Sequence, residues 1–278
     1  MRLTAVPENP LEAAVLLGGL VPTPLVDTLI ALLLARAVLV STQVGVFEAL
    51  AAGPLPADEV AARCATDPRA TAKLLGALAG AGYLRVRANR FSLRPLARKW
   101  LLKDSPHSLY DAVLLQVVDA RFLDQTEAYV RTGQPVRIHE SMAPDEWNVY
   151  QRGMRAGAQL SLPEVTRRLP VGPGARALLD IGGAHGAYAA ALCRRYPRMR
   201  ATVLDLPEAI THAAALLAAE GLGERVTHRA GDARDADLGR EVYDLILIAN
   251  LVHHFDDATN RDLVRRCAVR DALAQALG

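Results

Sequence analysis

Three acidic residues stand where three successive predicted strands end. Asp180 precedes the glycine-rich run 182–186, Asp205 follows the second strand, and Asp232 follows the third. In an open parallel sheet, ligands bind at the carboxyl ends of the strands, and glycines there let backbone N–H groups approach a ligand closely. A carboxylate just before the glycines would repel a pyrophosphate, but it suits a cationic ligand that carries an amino acid.

The spacing of the glycines differs from that of a dinucleotide site. Gly182 and Gly186 flank Ala184, so the GxGxxG fingerprint is not met. Asp205 comes 19 residues after Gly186, where an acid can accept hydrogen bonds from both hydroxyls of a ribose. A carboxylate at Asp232 can take the exocyclic amine of an adenine. Each acid alone could be a surface residue or a helix cap, but the three together predict a nucleoside site.

The elements that position these acids alternate between strands and helices. Apolar runs rich in β-branched residues predict the strands, and amphipathic segments predict the helices between them. This alternation is typical of a parallel α/β sheet. The predicted strands are Ala177–Ile181, Ala201–Leu204, Arg225–Arg229 and Tyr243–Ala249, with helices Ala187–Tyr196 and Glu208–Glu220 between the first three.

The region from Val44 to Leu102 has a different pattern of short helices followed by a hairpin. A helix–helix–helix–hairpin order predicts a winged helix, a fold that often binds DNA. The third helix, however, carries only Arg69 and Lys73 as cations and has no Asn, Gln or Ser to read base edges. We therefore expect packing rather than DNA recognition. The predicted elements are Gly45–Ala51, Asp58–Cys64, a helix that begins at Asp67-Pro68, and the ribbon Tyr83–Val86 with Arg90–Leu93.

The most apolar stretch of the chain, Ala13–Val40, lacks the pattern of a membrane segment. Pro22 and Pro24 interrupt it, Asp27 and Arg36 add charge, and no uncharged run reaches the roughly 18–20 residues that span a bilayer. We expect no membrane span here. The wide apolar faces of these helices suggest contact with a partner chain instead.

Composition excludes several classes of function. The 32 basic and 30 acidic residues give a net charge of +2, which provides no general attraction to nucleic acid or anionic lipid. The three cysteines are far apart and never form a CxxC pair, which argues against a disulfide framework and against a metal site of the zinc type. A reducing, cytoplasmic location fits this cysteine usage best.

From about residue 38 onward, the chain resembles the S-adenosylmethionine-dependent O-methyltransferases of the plant caffeate and bacterial polyketide-tailoring type. Those enzymes carry an N-terminal winged-helix dimerisation domain before a Rossmann-like methyltransferase domain. The resemblance is specific because five motifs occur in the family's order. They are Tyr150–Met154, Leu179–Gly186, Leu204–Pro207, Gly231-Asp232 and Leu251–Asp257.

The resemblance implies a role for each motif. His253 would take the proton from a substrate hydroxyl, and Tyr150 with Met154 would close over a small aromatic or polyketide-type acceptor. The family's Asp after the base is His254 here, so the choice between the two imidazoles stays open. The implied cofactor-binding residues for S-adenosylmethionine are Asp180, Gly182, Gly186, Asp205 and Leu206 for the donor's methionine and ribose parts, with Asp232 and Ala233 for the adenine.

The resemblance also implies a domain scheme and an incomplete sheet. We expect a winged-helix dimerisation domain at 1–104, a helical connecting layer at 105–172, and a Rossmann-like S-adenosylmethionine-binding domain of about four strands at 173–278. The longest helices expected in the connecting layer are Tyr110–Thr132 and Asp145–Leu160. Family members continue after the helix Ala258–Leu277 with three more strands. We therefore expect a second polypeptide, from a separate gene or from the partner subunit of a homodimer, to complete the sheet.

Three functions are consistent with these sequence features. The first is an O-methyltransferase of secondary metabolism, or the cofactor-binding portion of one. The second is a non-catalytic or split-enzyme partner subunit that needs another polypeptide. The third is a winged-helix transcriptional regulator with a ligand-sensing domain, which the weak DNA-reading helix disfavours.

Overall fold

The computed structural model describes residues 7, 9–134, 136, 138–239 and 242–267. The chain divides into two compact units, Met1–Ser105 and Pro106–Gly278. The further separation of a helical layer at 105–172 from the sheet region at 173–278 stays a prediction.

The first unit consists of helices followed by a hairpin. The order expected for a winged helix, three helices and then a two-stranded ribbon, is present over residues 46–93. The elements are α1 (Pro10–Leu17), α2 (Thr23–Leu25), a π-helical turn (Val26–Ile30), α3 (Ala31–Gln43), α4 (Val46–Ala49), α5 (Ala57–Cys64), α6 (Pro68–Gly80), β1 (Leu84–Arg87), β2 (Arg90–Leu93) and α7 (Pro95–Leu101).

Local sequence explains the boundaries of α6 and of the hairpin. The Asp67 carboxylate accepts a hydrogen bond from the Ala70 N–H at 2.8 Å, which caps a helix that has Pro68 in its first turn. Ala88 and Asn89, between the two antiparallel strands, both have positive φ (46° and 59°), the backbone that tight two-residue hairpin turns require. The α6 face that carries Leu75 and Leu78 is fully buried.

One helical run in the described part of the chain is long and apolar enough, by length and composition alone, to cross a membrane. It spans Thr23–Gln43, and 11% of its most apolar window is buried. Core helices and signal sequences have the same properties, so the run is weak support for a membrane span. As expected, Pro22 interrupts the apolar stretch, because the helix begins only at Thr23. Pro24 does not interrupt it, because it lies in the first helical turn, where proline is tolerated, and the helix continues past it.

The second unit places helices around a parallel sheet. The elements are α8 (Tyr110–Leu123), α9 (Thr126–Thr132), α10 (Pro144–Ala158), α11 (Leu162–Arg168), β3 (Ala177–Ile181), α12 (Ala187–Arg195), β4 (Arg200–Asp205), α13 (Pro207–Ala218), β5 (Val226–Ala230), β6 (Leu245–Ile248) and α14 (Asp257–Cys267), with 3-10 turns at His139–Ser141, Gly223–Arg225 and Val252–His254.

The sheet has the strand order β5-β4-β3-β6, and every pairing in it is parallel. The inner strand β3 is buried from Leu178 to Ile181, which explains why its residues other than Asp180 are apolar. The expected α/β fold with a helical N-terminal part is confirmed. Within the described residues, β6 lies at an edge and pairs only with β3.

Two predicted elements differ from the structure. The single helix expected over Tyr110–Thr132 is two helices, α8 and α9, because the chain turns at Asp124 and the Thr126 hydroxyl donates to the Leu123 carbonyl at 2.6 Å. Strand β6 is shorter than the expected Tyr243–Ala249. Of the predicted helix Ala258–Leu277, the structure has α14 up to Cys267, and the remainder lies outside the described residues.

We predict that the helix pair α8 and α10 depends on Gly153. A Cβ atom at this position would lie 2.5 Å from the Leu115 Cβ and 3.0 Å from the Asp111 carbonyl oxygen. Although alanine is the better helix former, we expect Gly153→Ala to lower the free energy of unfolding by about 1–3 kcal/mol in urea denaturation, because the two helices must move apart.

Gly157 on the same helix is the matched control, because a Cβ there would meet nothing within 4 Å. Gly157→Ala is expected to raise the free energy of unfolding by up to about 1 kcal/mol through helix propensity. Equal effects of the two substitutions would contradict the close-contact explanation.

Candidate functional site

A cleft lies at the carboxyl ends of β3, β4 and β6 in the second unit. Helix α10 forms one wall, and the loops after the three strands form the other. This is the position at which open parallel sheets bind ligands. The lining residues are His139, Trp147, Tyr150, Gln151, Met154, Ala158, Gly182, Gly183, Ala184, His185, Tyr188, Asp205, Leu206, Ala209, Ala249, Asn250, Leu251 and His254.

The loop after β3 is a tight glycine turn that presents backbone to the cleft. Gly182 and Gly186 have φ of +74° and +68°, a region that favours glycine. The Gly182 N–H donates to the Leu204 carbonyl at 2.8 Å, and the Gly186 N–H donates to the Gly183 carbonyl at 2.7 Å. The first bond holds the loop against β4, the second closes the loop on itself, and α12 begins directly after the loop.

Asp205 connects the end of β4 to this loop. Its carboxylate accepts hydrogen bonds from the Ala184 N–H at 2.9 Å and from the Leu206 N–H at 2.8 Å. Burial raises the pKa of Asp205, while the two N–H donors and the nearby His228 oppose the rise. His228 also holds the loop, because its Nε2 lies 2.6 Å from the Ala184 carbonyl oxygen.

Asp180 lies beneath the loop rather than on the cleft wall. It is 1% exposed, and neither carboxylate oxygen has a hydrogen-bond partner among the described residues. A Cβ atom on Gly183 would lie 2.5 Å from the Asp180 Cγ, so glycine is required above the acid. Burial, and then the neighbouring Asp205, raise the pKa of Asp180 to about 7.

One end of the cleft is aromatic. The His139 ring stacks on Trp147 with centroids 5.4 Å apart, and its Nε2 lies 3.0 Å from the Tyr150 hydroxyl. Burial and the Coulomb effects of Asp205 and Asp119 raise the pKa of Tyr150 to about 12, and burial lowers the pKa of His139. Both side chains are therefore neutral near pH 7.

The two predicted histidines take different positions in the 3-10 turn after β6. Both are exposed residues, but only His254 lines the cleft, where its ring centroid is 4.9 Å from that of His139. Partial burial, and then His253 and His139, lower the pKa of His254 to about 4. His253 lies outside the lining, with its ring centroid 4.0 Å from that of His254. In the part of the chain that the structure describes, no group of His, Cys, Asp or Glu could hold a metal ion.

The structure brings together about half of the site residues predicted from the sequence. Asp232 is ion-paired with Arg234, with an O–N distance of 2.5 Å, and Ala233 packs in the core on one side of the sheet. Their predicted adenine contacts stay predictions. The lining includes Tyr150, Met154, Gly182, Asp205, Leu206 and His254, and it leaves out Asp180, Gly186, Asp232, Ala233 and His253.

Several lining residues were not expected from the sequence. Trp147, Gln151 and Ala158 share the face of α10 with Tyr150 and Met154, so helical spacing from the predicted pair could have found them. His139 lies in the segment before α10 and has no periodic signal, and Asn250, with φ of +54°, marks the turn after β6. His185 is buried, and burial and the charge of Arg155 lower its pKa to about 4.

Comparison with known proteins gives two matches to family profiles. Residues 116–276 match the O-methyltransferase domain, and residues 26–103 match the O-methyltransferase dimerisation domain. The second match includes most of the apolar run Thr23–Gln43. It supports formation of a homodimer through the N-terminal part of the chain.

Individual relatives agree with these matches. The chain is 30% identical over 257 residues to the 3-hydroxy-5-methyl-1-naphthoate 3-O-methyltransferase of Streptomyces sahachiroi, covering 88% of this chain and 73% of the relative. It is 31% identical to the O-demethylpuromycin-O-methyltransferase of Streptomyces alboniger, covering 75% of this chain and 58% of the relative. The crystal structure of human N-acetylserotonin methyltransferase with S-adenosylmethionine superposes with a TM-score of 0.77 at 20% identity, over 95% of this chain and 77% of the human chain.

We predict that the buried Asp180 makes stability depend on pH. Its pKa in the folded chain is raised to about 7 from an ordinary value of 3.8, so the folded state retains a proton that the unfolded state loses between these values. Stability is therefore lost as the pH rises through this window. We expect Asp180→Asn to exceed the wild type in unfolding free energy by about 2–4 kcal/mol at pH 8, and the difference to shrink toward pH 5.

Urea denaturation at pH 5, 6.5 and 8, at a fixed protein concentration, measures this difference. Asp124→Asn, at an exposed site, controls for the loss of one carboxylate from the chain. A constant offset between the Asp180→Asn variant and the wild type over this range would contradict the prediction.

Proposed function

Because the chain belongs to the O-methyltransferase family, we propose that it transfers a methyl group from S-adenosylmethionine to a hydroxyl of a small aromatic or polyketide-type molecule of secondary metabolism. The family, the enzyme class and this donor, all expected from the sequence, are confirmed by the comparisons. The proposal places the reaction in the cleft, because the cleft combines a glycine loop and a strand-end acid with an imidazole and an aromatic wall.

The aromatic wall supports the proposed class of acceptor. Trp147, Tyr150 and Met154 present apolar and aromatic surface, which suits a flat, largely apolar guest. The Streptomyces sahachiroi relative is named for a hydroxynaphthoate and the Streptomyces alboniger relative for O-demethylpuromycin. An aromatic hydroxyl is the acceptor that both the wall and these names support.

The strand-end residues fit the donor. Gly182 and the loop after it offer backbone groups, and Asp205 reaches the cleft with its orientation fixed by two backbone N–H groups. We propose that Asp205 binds the ribose, that Leu206 packs beside it, and that Asp232 with Ala233 contacts the adenine. When bound, the donor supplies a methyl group on a sulfonium, which is already activated. The protein therefore has mainly to align the acceptor hydroxyl with that methyl group.

We propose His254 as the group that accepts the proton of the acceptor hydroxyl. Its ring lines the cleft, and its lowered pKa keeps it unprotonated at neutral pH. The resemblance to the family instead assigns this role to His253, which lies outside the lining. Position in the cleft is the observation that favours His254, since a general base must first be within reach of the proton.

Alanine substitution of the two histidines separates their contributions to kcat. We expect His254→Ala to lower kcat about 10²- to 10⁴-fold, the usual range for loss of a general base. The neighbouring variant His253→Ala is the matched control and should lose less than about tenfold. Steady-state rates with a hydroxylated aromatic acceptor at saturating S-adenosylmethionine measure both, and the reverse order would return the role to His253.

The pH profile of kcat/KM for the acceptor checks the same assignment. A base with a pKa of about 4 remains unprotonated between pH 8 and pH 5, so the wild-type profile should stay flat over that range. An imidazole with an ordinary pKa would instead cause the rate to fall below about pH 6.5. An acid limb near pH 6.5 would therefore count against His254.

We further propose that another polypeptide segment covers the edge of the sheet at β6. The strand Leu245–Ile248 is entirely apolar, and an uncovered apolar edge strand favours aggregation. The segment could come from the partner subunit or from a separate chain.

The three cysteines, free in the described part of the chain, support a reducing, cytoplasmic location for this assembly.

Purification of the chain alone tests the covered edge. We expect the isolated chain to bind an exposed-hydrophobe dye and to form polydisperse oligomers, because within the described residues β6 is an apolar edge strand that pairs on one side only. Val242→Lys, three residues before the strand and at a residue that is 58% exposed, should reduce both signals. A monodisperse dimer without dye binding would contradict the proposal.

A further inference from the structure

Gln151 is a buried polar residue on the cleft wall. Its side chain projects from the middle of the α10 face that lines the cleft, and the residue is 1% exposed. Its Oε1 atom has no hydrogen-bond partner among the described residues. Because buried amide oxygens in folded proteins are nearly always hydrogen-bonded, this atom indicates a donor that a ligand supplies.

The positions of Asp180 and Asp205 indicate which group of the ligand lacks an acceptor in the cleft. The amino-acid end of S-adenosylmethionine carries an ammonium, which needs hydrogen-bond acceptors. Asp180, the acid that the sequence pattern assigned to a cationic ligand, lies under Gly183 and outside the lining. Asp205 already accepts two backbone hydrogen bonds and is the proposed ribose ligand. Neither acid is therefore free on the cleft wall for an ammonium.

The aromatic end of the cleft argues against the acceptor as the partner of Gln151. There the Tyr150 hydroxyl and His139 already form a hydrogen bond with each other, and His254 supplies an acceptor for a substrate hydroxyl. Gln151 and Ala158 lie on the same face of α10, and Ala158 packs in the same cluster as Ala187 and Tyr188 of the helix that follows the glycine loop.

We propose that the Gln151 amide oxygen accepts a hydrogen bond from the ammonium of the amino-acid end of S-adenosylmethionine. This inference rests on the proposed function, because it takes the cleft as the donor site. Gln151 then determines that the cleft binds a nucleoside with an amino acid attached, rather than the nucleoside thioether alone.

Calorimetric titration with two ligands tests the proposal. S-adenosylhomocysteine has the amino-acid end, and 5′-methylthioadenosine has the same nucleoside and thioether without it. We expect Gln151→Met to weaken S-adenosylhomocysteine about 10- to 100-fold, the range for a buried hydrogen bond to a charged group, and to change methylthioadenosine less than about twofold. Gln159→Met, the same substitution at the exposed residue that caps the C-terminus of the same helix, should change neither.

The stability of the ligand-free variant separates binding from folding. Methionine removes an unpaired buried amide at similar volume, so the Tm of Gln151→Met should equal or exceed that of the wild type. Gln151→Leu repeats the test if the Met variant is recovered poorly. Unchanged S-adenosylhomocysteine binding would overturn the proposal, as would equal weakening of both ligands. A wild-type chain that binds neither ligand would show instead that the proposed function has failed.

Discussion

The hydrogen bond from the Ala184 N–H to the Asp205 carboxylate fixes the geometry on which the cleft depends. It joins the loop after β3 to the end of β4. The carbonyl of the same Ala184 is held by His228 from β5, and Gly182 donates to the Leu204 carbonyl. A single glycine loop is thus fixed by two strands beside it, so its backbone is preorganised and need not be ordered when a ligand binds.

This fixed loop requires Asp180 to be buried. The loop passes so close above the acid that only glycine fits at position 183, and the carboxylate is left without a hydrogen-bond partner in the described chain. The acid avoids an unpaired buried charge by holding its proton to a higher pH. Asp205 has a different environment, because two N–H donors and His228 oppose the rise that burial causes in its pKa. Two acids at adjacent strand ends therefore differ in the hydrogen bonds that stabilise their charged forms.

The sheet and the acids at the ends of its strands could be predicted from the sequence, because both are visible as short-range patterns of residue types. Asp205 and Leu206 were found this way and line the cleft. His139 could not be predicted, since its place beside Tyr150 depends on the path of the segment before α10. The unpaired state of Gln151 could not be predicted either, because burial without a partner is a property of packing, which no spacing in the sequence reports.

The charge of the cleft follows from which groups stay neutral. The pKa values of His139, His185 and His254 are all lowered, chiefly by burial, so near pH 7 these imidazoles do not contribute positive charge. Asp205 is the acid that lines the cleft beside the glycine loop, and its ionised form favours a cationic ligand there. A sulfonium donor carries one more positive charge than the thioether left after methyl transfer. An ionised Asp205 would therefore favour the donor over the product.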